Sequence, residues 1–371
     1  MKPPAGDPGM GVIGEDDMVA FGYTLLTEQR DPRGLVSDAV ASEHAGFDFD
    51  VISDHYFPWL DTQGHSPNCW SILGAVAAGT ERVGLMTYVT CPTMRYHPTV
   101  VAQQAATVAI LAGQDRFTLG LGAGENLNEH VIGRGWPPAN VRHEMLDEAI
   151  EIIRALLDGG YVNTAGEYYR VDSAKLWDRP DQPVPIAVAV SGRQSVDRFA
   201  PVADAMVAVQ PRADLVRRFD DVAGATVPKI GQLPISWDPD AAEAVARAHE
   251  QFRWFTGGWK VNAELPGTAA FAAASRTVLP EDVAASIVCG PDVSAHVAVF
   301  RPFVEAGFTH IALAQVGGDT QPEFLEFAAH ELLPALREAY GKAEDPAIRR
   351  RGTDLEIERS DGARSGVSSG P

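Results

Sequence analysis

The sequence predicts an α/β protein built as a (β/α)8 TIM barrel, with a helical insertion after strand seven. Three observations predict it. Strand-like and helix-like segments alternate almost throughout the 371 residues. Eight strand signals, each followed by helical sequence, fill one chain, which favours a closed barrel over a doubly wound sheet. Hydrophobic residues make up 45% and charged residues 22%, enough apolar material for a sizeable core.

The elements follow in order. Residues 19–25 read as the first strand, and residues 33–45 as a helix with Leu35, Ala39 and Ala45 on one side. Residues 47–53 form the second strand, residues 66–79 a helix and residues 83–90 the third strand. A helix rich in Ala, Val and Gln covers residues 98–111. The fourth strand, residues 116–122, runs into a glycine-rich turn. Residues 142–157 form a strongly periodic amphipathic helix. Strands five to seven are residues 184–190, 205–209 and 230–236. Residues 239–292 are too long for one barrel helix and read as a helical insertion beside the barrel mouth. Residues 309–315 are the eighth strand, and a last helix covers residues 321–340. The expected domain is residues 18–342. Residues 1–17, rich in Gly, Pro and acid, read as a flexible segment, and residues 343–371 as a disordered polar tail.

Bulk properties exclude several classes. A net charge of -20 argues against nucleic acid or an anionic membrane as partner. The three cysteines, Cys69, Cys91 and Cys289, form no CxxC pair, which fits a reducing cytoplasm. The N-terminus lacks a signal-peptide pattern, and no apolar run of about 18 residues is present to span a membrane. His-x-His and similar close spacings are absent, so no metal site is expected.

Candidate site residues cluster where strands end, the side of a barrel that carries chemistry. Asp54-His55 closes the second strand and is followed by Tyr56-Phe57-Pro58-Trp59. A lone histidine is usually satisfied by a neighbouring carbonyl. Here an adjacent acid and a trailing Trp59, able to wall off a flat ring, point to proton transfer near neutral pH. Glu125 follows the run Gly120-Leu121-Gly122-Ala123-Gly124 at the end of the fourth strand. It either pairs with His55 across the mouth or caps the following helix. Cys91, after Thr87-Tyr88-Val89-Thr90, has no activating neighbour and is not read as a nucleophile. Ser191-Gly192-Arg193-Gln194-Ser195 ends the fifth strand, where backbone N–H groups can hold a phosphate. Arg212 and Lys260 either bind an anionic substrate group or are solvated surface charges.

Four ordered motifs carry a resemblance: Ser-Asp-His-x-x-Pro-Trp at 53–59, Pro-Thr-x-Arg-Tyr-x-Pro at 92–98, Gly-x-Gly-Glu-x-Leu-Asn-Glu at 122–129, and the helix from Leu146 to Arg154. Together they resemble the luciferase-like superfamily of barrels, in the branch of glucose-6-phosphate dehydrogenases that depend on coenzyme F420, a deazaflavin. The likeness runs from about Val19 to Lys342. It implies that His55 and Glu125 act as an acid/base pair beside Trp59, and that Asp54, Gly124 and Asn128 contact F420. It also implies that Tyr88-Val89, at an unusual cis peptide, lie behind the ring, with Cys91 and Ala123 standing where relatives carry threonine. Ser191, Gly192, Gln194 and Ser195 would hold the cofactor phosphate.

The sugar-phosphate site of these relatives is only partly kept. Its threonine reads Val209, one lysine reads Arg212, a second aligns with Lys260, and its arginine position falls near Ala285 or Ser286. The expectation is therefore an F420-dependent dehydrogenase acting on CH–OH of an alcohol or sugar other than glucose 6-phosphate, forming a homodimer. An FMN-dependent monooxygenase of the same superfamily is the alternative, and a catalytically silent cofactor-binding barrel a third reading.

Overall fold

The computed structural model describes residues 19–113 and 115–341. The expected flexible segment and polar tail lie outside those residues. The described strands are β1 (Ala20–Leu25), β2 (Phe49–Ile52), β3 (Gly84–Thr87), β4 (Phe117–Leu121), β5 (Val162–Ala165), β6 (Arg170–Ala174), β7 (Ile186–Ala189), β8 (Ala205–Ala208), β9 (Lys229–Ser236), β10 (Val288–Cys289) and β11 (His310–Gln315). Eight of them form a closed parallel barrel in the order β1-β2-β3-β4-β7-β8-β9-β11, with β11 returning to β1 and β9 pairing β8. All eight expected strands are present, a residue or more shorter at most ends.

The barrel follows from two-sided burial. Parallel strands wrapped by helices need apolar residues on both faces. Phe49, Val51, Met86, Ala187, Val207, Ile230 and Ala312 fill the interior. Ile52, Leu85, Leu119 and Val188 face outward, onto helices. The helix Pro32–Ala45 starts where Asp31 accepts from the Arg33 and Gly34 amides at 3.0 and 3.2 Å, with proline in its first turn. The helix Ala139–Asp158 buries Leu146, Ala149, Ile150 and Ile153 at helical spacing.

Three features were not expected. β5 and β6 form an antiparallel hairpin between strand four and strand five of the barrel. Its Tyr169 hydroxyl donates to the Pro92 and Thr93 carbonyls, both at 2.9 Å, and so ties down the loop after β3. β10 adds a short parallel strand outside β9. The last helix contains a π-helical turn at Ala328–Leu332.

Residues 239–292 hold the helices Ala241–Phe252, Trp259–Asn262, Gly267–Ala274 and Pro280–Ala284. Trp254, Trp259, Leu265 and Phe271 from this segment pack with Trp59, Leu60 and Leu127, against the loops after β2 and β4. The Asn126 amide donates to the Ala263 carbonyl at 3.0 Å, which pins the segment to the mouth. No helix among the described residues is long and apolar enough to cross a membrane.

Candidate active site

Register brings the site together. Leu25 pairs with Ile52, and Ile52 pairs with Thr87, so the loops after β1, β2 and β3 leave the barrel side by side. Residues three past Leu25 and Ile52 are Glu28 and His55, and they meet: Glu28 Oε1 lies 3.4 Å from His55 Nδ1. Glu28 is 2% exposed. It also accepts from Trp59 Nε1 at 3.1 Å and from Ser53 Oγ at 2.5 Å.

Among the described residues His55 Nδ1 faces only acceptors, the Glu28 carboxylate and the Phe57 carbonyl at 3.2 Å. Nδ1 must therefore carry the hydrogen, and in the neutral ring Nε2 keeps the lone pair. Nε2 points at Glu125 Oε2, 4.0 Å away. Glu125 stands at the start of the short helix Asn126–Glu129, yet its side chain makes no capping bond. Its Oε2 is buried without a hydrogen-bond partner among the described residues. The side chain thus faces His55 and does not cap the helix. Burial pushes the Glu125 carboxyl above its ordinary value; His55 opposes that rise, Glu28 adds to it and Arg95 opposes it.

Trp59 is 6% exposed and packs against the His55 ring at 5.0 Å between centroids. It also stacks on Trp254 at 4.0 Å and meets Phe271 in a T-shaped arrangement at 5.0 Å. The indole is clamped by its own hydrogen bond and by the inserted helices, so the wall beside His55 is rigid.

Asp54 is buried and engaged by protein donors: Thr90 Oγ1 at 2.7 Å, Arg95 Nη2 at 3.1 Å and the Tyr96 hydroxyl at 3.3 Å. Asn128 is also buried, and its side-chain oxygen accepts from the Tyr56 and Phe57 amides at 2.8 and 3.3 Å. Both side chains shape the loop around His55. Glu129, fully buried, accepts from the Arg95 amide at 2.8 Å, and burial pushes its carboxyl to about 7 against the pull of Arg95.

Behind this group lie flat and small surfaces. Tyr88-Val89 is a cis peptide. Tyr88, Val89, Ala123 and Ala189 are partly exposed at the mouth. A Cβ on Gly122 would stand 2.6 Å from Val89 Cγ2, so only glycine lets these two loops touch. Gly124 has φ +94, a left-handed conformation that glycine adopts without strain. Cys91 is buried and its thiol is pushed well up by that burial, consistent with an unreactive role.

The remaining candidates follow β7 and β8 or lie in the inserted segment. Ser191 and Gln194 are exposed, while Ser195 is buried. Ser195 Oγ accepts from the Ser191 and Gly192 amides, both at 3.2 Å, so those amides already have a partner. Arg212 is exposed and gives two hydrogen bonds, of 2.8 and 2.7 Å, to Asp214. Lys260 is exposed on the helix Trp259–Asn262.

Glu28 was missed by sequence reasoning, and Arg95 and Glu129 were noticed only as motif letters. The available signal for Glu28 was its place just after the first strand, the same place that singled out His55.

The family model for luciferase-like monooxygenase matches residues 18–310. The chain is 38% identical over 338 residues to an F420-dependent glucose-6-phosphate dehydrogenase of Beutenbergia cavernae, covering 86% of this chain and 98% of the relative. It is 35% identical to the protein of the same name in Microbacterium testaceum, with the same coverage of both chains. Among solved structures, an F420-dependent secondary alcohol dehydrogenase in complex with an F420–acetone adduct matches with a TM-score of 0.76 and 26% identity, over 86% of this chain and 99% of that chain. The coenzyme F420-dependent tetrahydromethanopterin reductase of Methanopyrus kandleri shares the fold, at a TM-score of 0.70 and 21% identity, over 86% of this chain and 99% of that chain.

Proposed function

The chain belongs to the luciferase-like monooxygenase family, and we propose that it is an oxidoreductase dependent on coenzyme F420. The reaction assigned is hydride transfer between a hydroxyl-bearing carbon of a small alcohol or sugar-type substrate and the deazaflavin. The observation that carries it is the His55–Glu125 pair: a histidine with a free Nε2 lone pair facing, at 4.0 Å, a carboxyl oxygen that has no hydrogen-bond partner among the described residues.

The residues present fit such a group. The partly exposed, flat surface of Tyr88, Val89, Ala123 and Gly124, with Cys91 beneath, suits an aromatic ring system laid across the mouth. We assign that surface to holding the ring, with Asp54 and Asn128 acting through the loop they fix, and the segment Ser191, Gly192 and Gln194 to holding the phosphate through the exposed Ser191 and Gln194 side chains, with the buried Ser195 fixing the turn by its bonds to the Ser191 and Gly192 amides. Bound F420 would supply a two-electron hydride acceptor or donor.

The chain supplies proton transfer and alignment. A C–H bond gives up its electron pair as hydride only as the attached O–H loses its proton and the C=O forms. A base within hydrogen-bond reach of the hydroxyl is therefore required. His55 Nε2 takes that proton, with Glu28 holding Nδ1–H and stabilising the imidazolium. Glu125, whose carboxyl burial favours the protonated form, is the second acid/base. Trp59 orients the substrate beside His55.

The substrate assigned is other than glucose 6-phosphate. A phosphate dianion calls for several charge-assisted donors. Val209 has none, Arg212 already serves Asp214, and Lys260 is left as the cation. The same reading takes residues 18–342 as one catalytic domain with residues 239–292 as its insertion, and the enzyme as a cytoplasmic homodimer. The free state of Cys69, Cys91 and Cys289 supports the reducing compartment.

The test titrates F420 and FMN side by side, read by tryptophan fluorescence, followed by an alcohol and sugar-phosphate screen with loss of F420 absorbance. Selective F420 binding with turnover abolished in His55→Asn and Glu125→Gln supports the proposal. Preference for FMN with oxygen consumption sinks it.

A further inference from the structure

We propose that Arg95 is a positioning residue for this site: it clamps the loop that carries His55 to the loop that carries Glu125, and so sets the gap between the two acid/base groups. This rests on the function proposed above for His55 and Glu125.

Arg95 reaches both loops from a third. Its Nη2 donates to the Asp54 carbonyl at 2.8 Å and to Asp54 Oδ1 at 3.1 Å. Asp54 directly precedes His55, so one guanidinium nitrogen fixes both the backbone and the side chain of that position. On the other side the Arg95 amide donates to Glu129 Oε2 at 2.8 Å, and its Nε faces Glu129 Oε1 at 3.5 Å. Glu129 ends the single helical turn that Glu125 begins. The Arg95 side chain is 9% exposed, Asp54's 1% and Glu129's 0%, so the clamp is dry. The hydrogen bonds of Nη2 go to Asp54, its Nε is held to Glu129 by charge at 3.5 Å without a hydrogen bond, and a dry pair of this kind holds geometry better than a solvated one.

Charge adds a second effect. Arg95 is the cation that acts on Asp54, Glu125 and Glu129 together, and it lowers the proton affinity of both glutamates. The groups around it are Asp54 from the loop after β2, Cys91 and Tyr96 from its own loop, Glu129 from the helix after β4, and Cys69 from the helix Cys69–Gly79. Glu125 additionally faces His55 and Glu28, and Glu129 faces Tyr169. Among the described residues Arg95 is the permanent cation acting on both glutamates; His55 joins it on Glu125 only when protonated, and Arg134 acts on the neighbouring Tyr169.

The test compares the full-length protein with Arg95→Gln, Arg95→Lys and Glu129→Gln. One readout needs no cofactor: the pH titration of the protonated-carboxyl infrared band, in which Glu129→Gln identifies the contribution of Glu129. The second is the affinity for oxidised F420 by fluorescence. Arg95→Gln is expected to move the carboxyl midpoint up by about 1 unit and to weaken F420 binding by about tenfold through lost preorganisation. Arg95→Lys keeps the charge and loses the fork, so its midpoint stays near wild type while F420 binding still weakens.

An unmoved midpoint with unchanged affinity in Arg95→Gln overturns the proposal. Full recovery of affinity by lysine overturns the clamp. If Arg95→Gln does not fold, Arg95→Lys decides by its affinity. Wild-type protein that fails to bind F420 defeats the functional reading alone, and the infrared titration still tests the clamp's charge.

Discussion

Replacing Glu28 with glutamine should cripple the site without displacing an atom of its backbone. The Glu28 carboxylate accepts from Trp59 Nε1 and Ser53 Oγ and faces His55 Nδ1. An amide has one acceptor oxygen and one donor nitrogen in place of two oxygens. Its NH2 takes the place either of Oε1, which faces His55 and Trp59, or of Oε2, which faces Ser53. In place of Oε1 it drives Nδ1 to become the acceptor, so the hydrogen moves to Nε2, where the base is needed, and the buried Trp59 N–H loses its partner at about 1–3 kcal/mol. In place of Oε2 it meets a hydroxyl that turns to accept, and the loss is the negative charge that stabilises the imidazolium. Positioned general bases contribute about 10²–10⁴ in rate. Loss of the low end is about 10²-fold in kcat, or roughly 2.7 kcal/mol of barrier. The assay is single-turnover reduction of F420, with the Glu28→Asp variant as a control that keeps the charge. A Glu28→Gln enzyme that turns over within a few-fold of wild type would refute the role given to Glu28.

Three further outcomes are expected. Glu129 has its carboxyl raised from 4.5 to about 7, so the folded state binds its proton more tightly than the unfolded chain. Its contribution is full below 4.5 and is lost as pH rises through about 7, and Glu129→Gln should narrow the difference between melting temperatures at pH 5 and pH 8; an unchanged difference counts against that pKa. Trp254→Ala removes the partner stacked on Trp59 at 4.0 Å and should destabilise by about 2–3 kcal/mol in a denaturant melt, with Trp59 more accessible to a soluble quencher. Gly124→Ala forces a side chain into φ +94, about 3.3 Å from Glu129 and Trp136, at about 1–2 kcal/mol, and should weaken F420 binding with little change in the FMN response.

The sequence by itself determined the alternation of elements. Each barrel strand is a run apolar enough to be buried on both faces, and that demand is local, written into residues such as 49–52 or 310–315. It also singled out His55 and Glu125 as candidates, because polar residues shortly after a buried strand break the pattern. The hairpin β5–β6 escaped because its strands alternate exposed and half-buried residues and lie outside the strand–helix rhythm.

What only the tertiary structure decided is which side chains meet. Glu28 and His55 are far apart in sequence and adjacent in space because parallel register aligns Leu25 with Ile52. The inserted segment reads as helices beside the mouth, and only the folded chain shows Trp254 and Phe271 packed on Trp59. The reason is physical. Burial patterns depend on a residue's own chemistry and recur at fixed spacing, so they can be read along the chain. Hydrogen bonds between loops depend on register, and register is fixed only when the barrel closes.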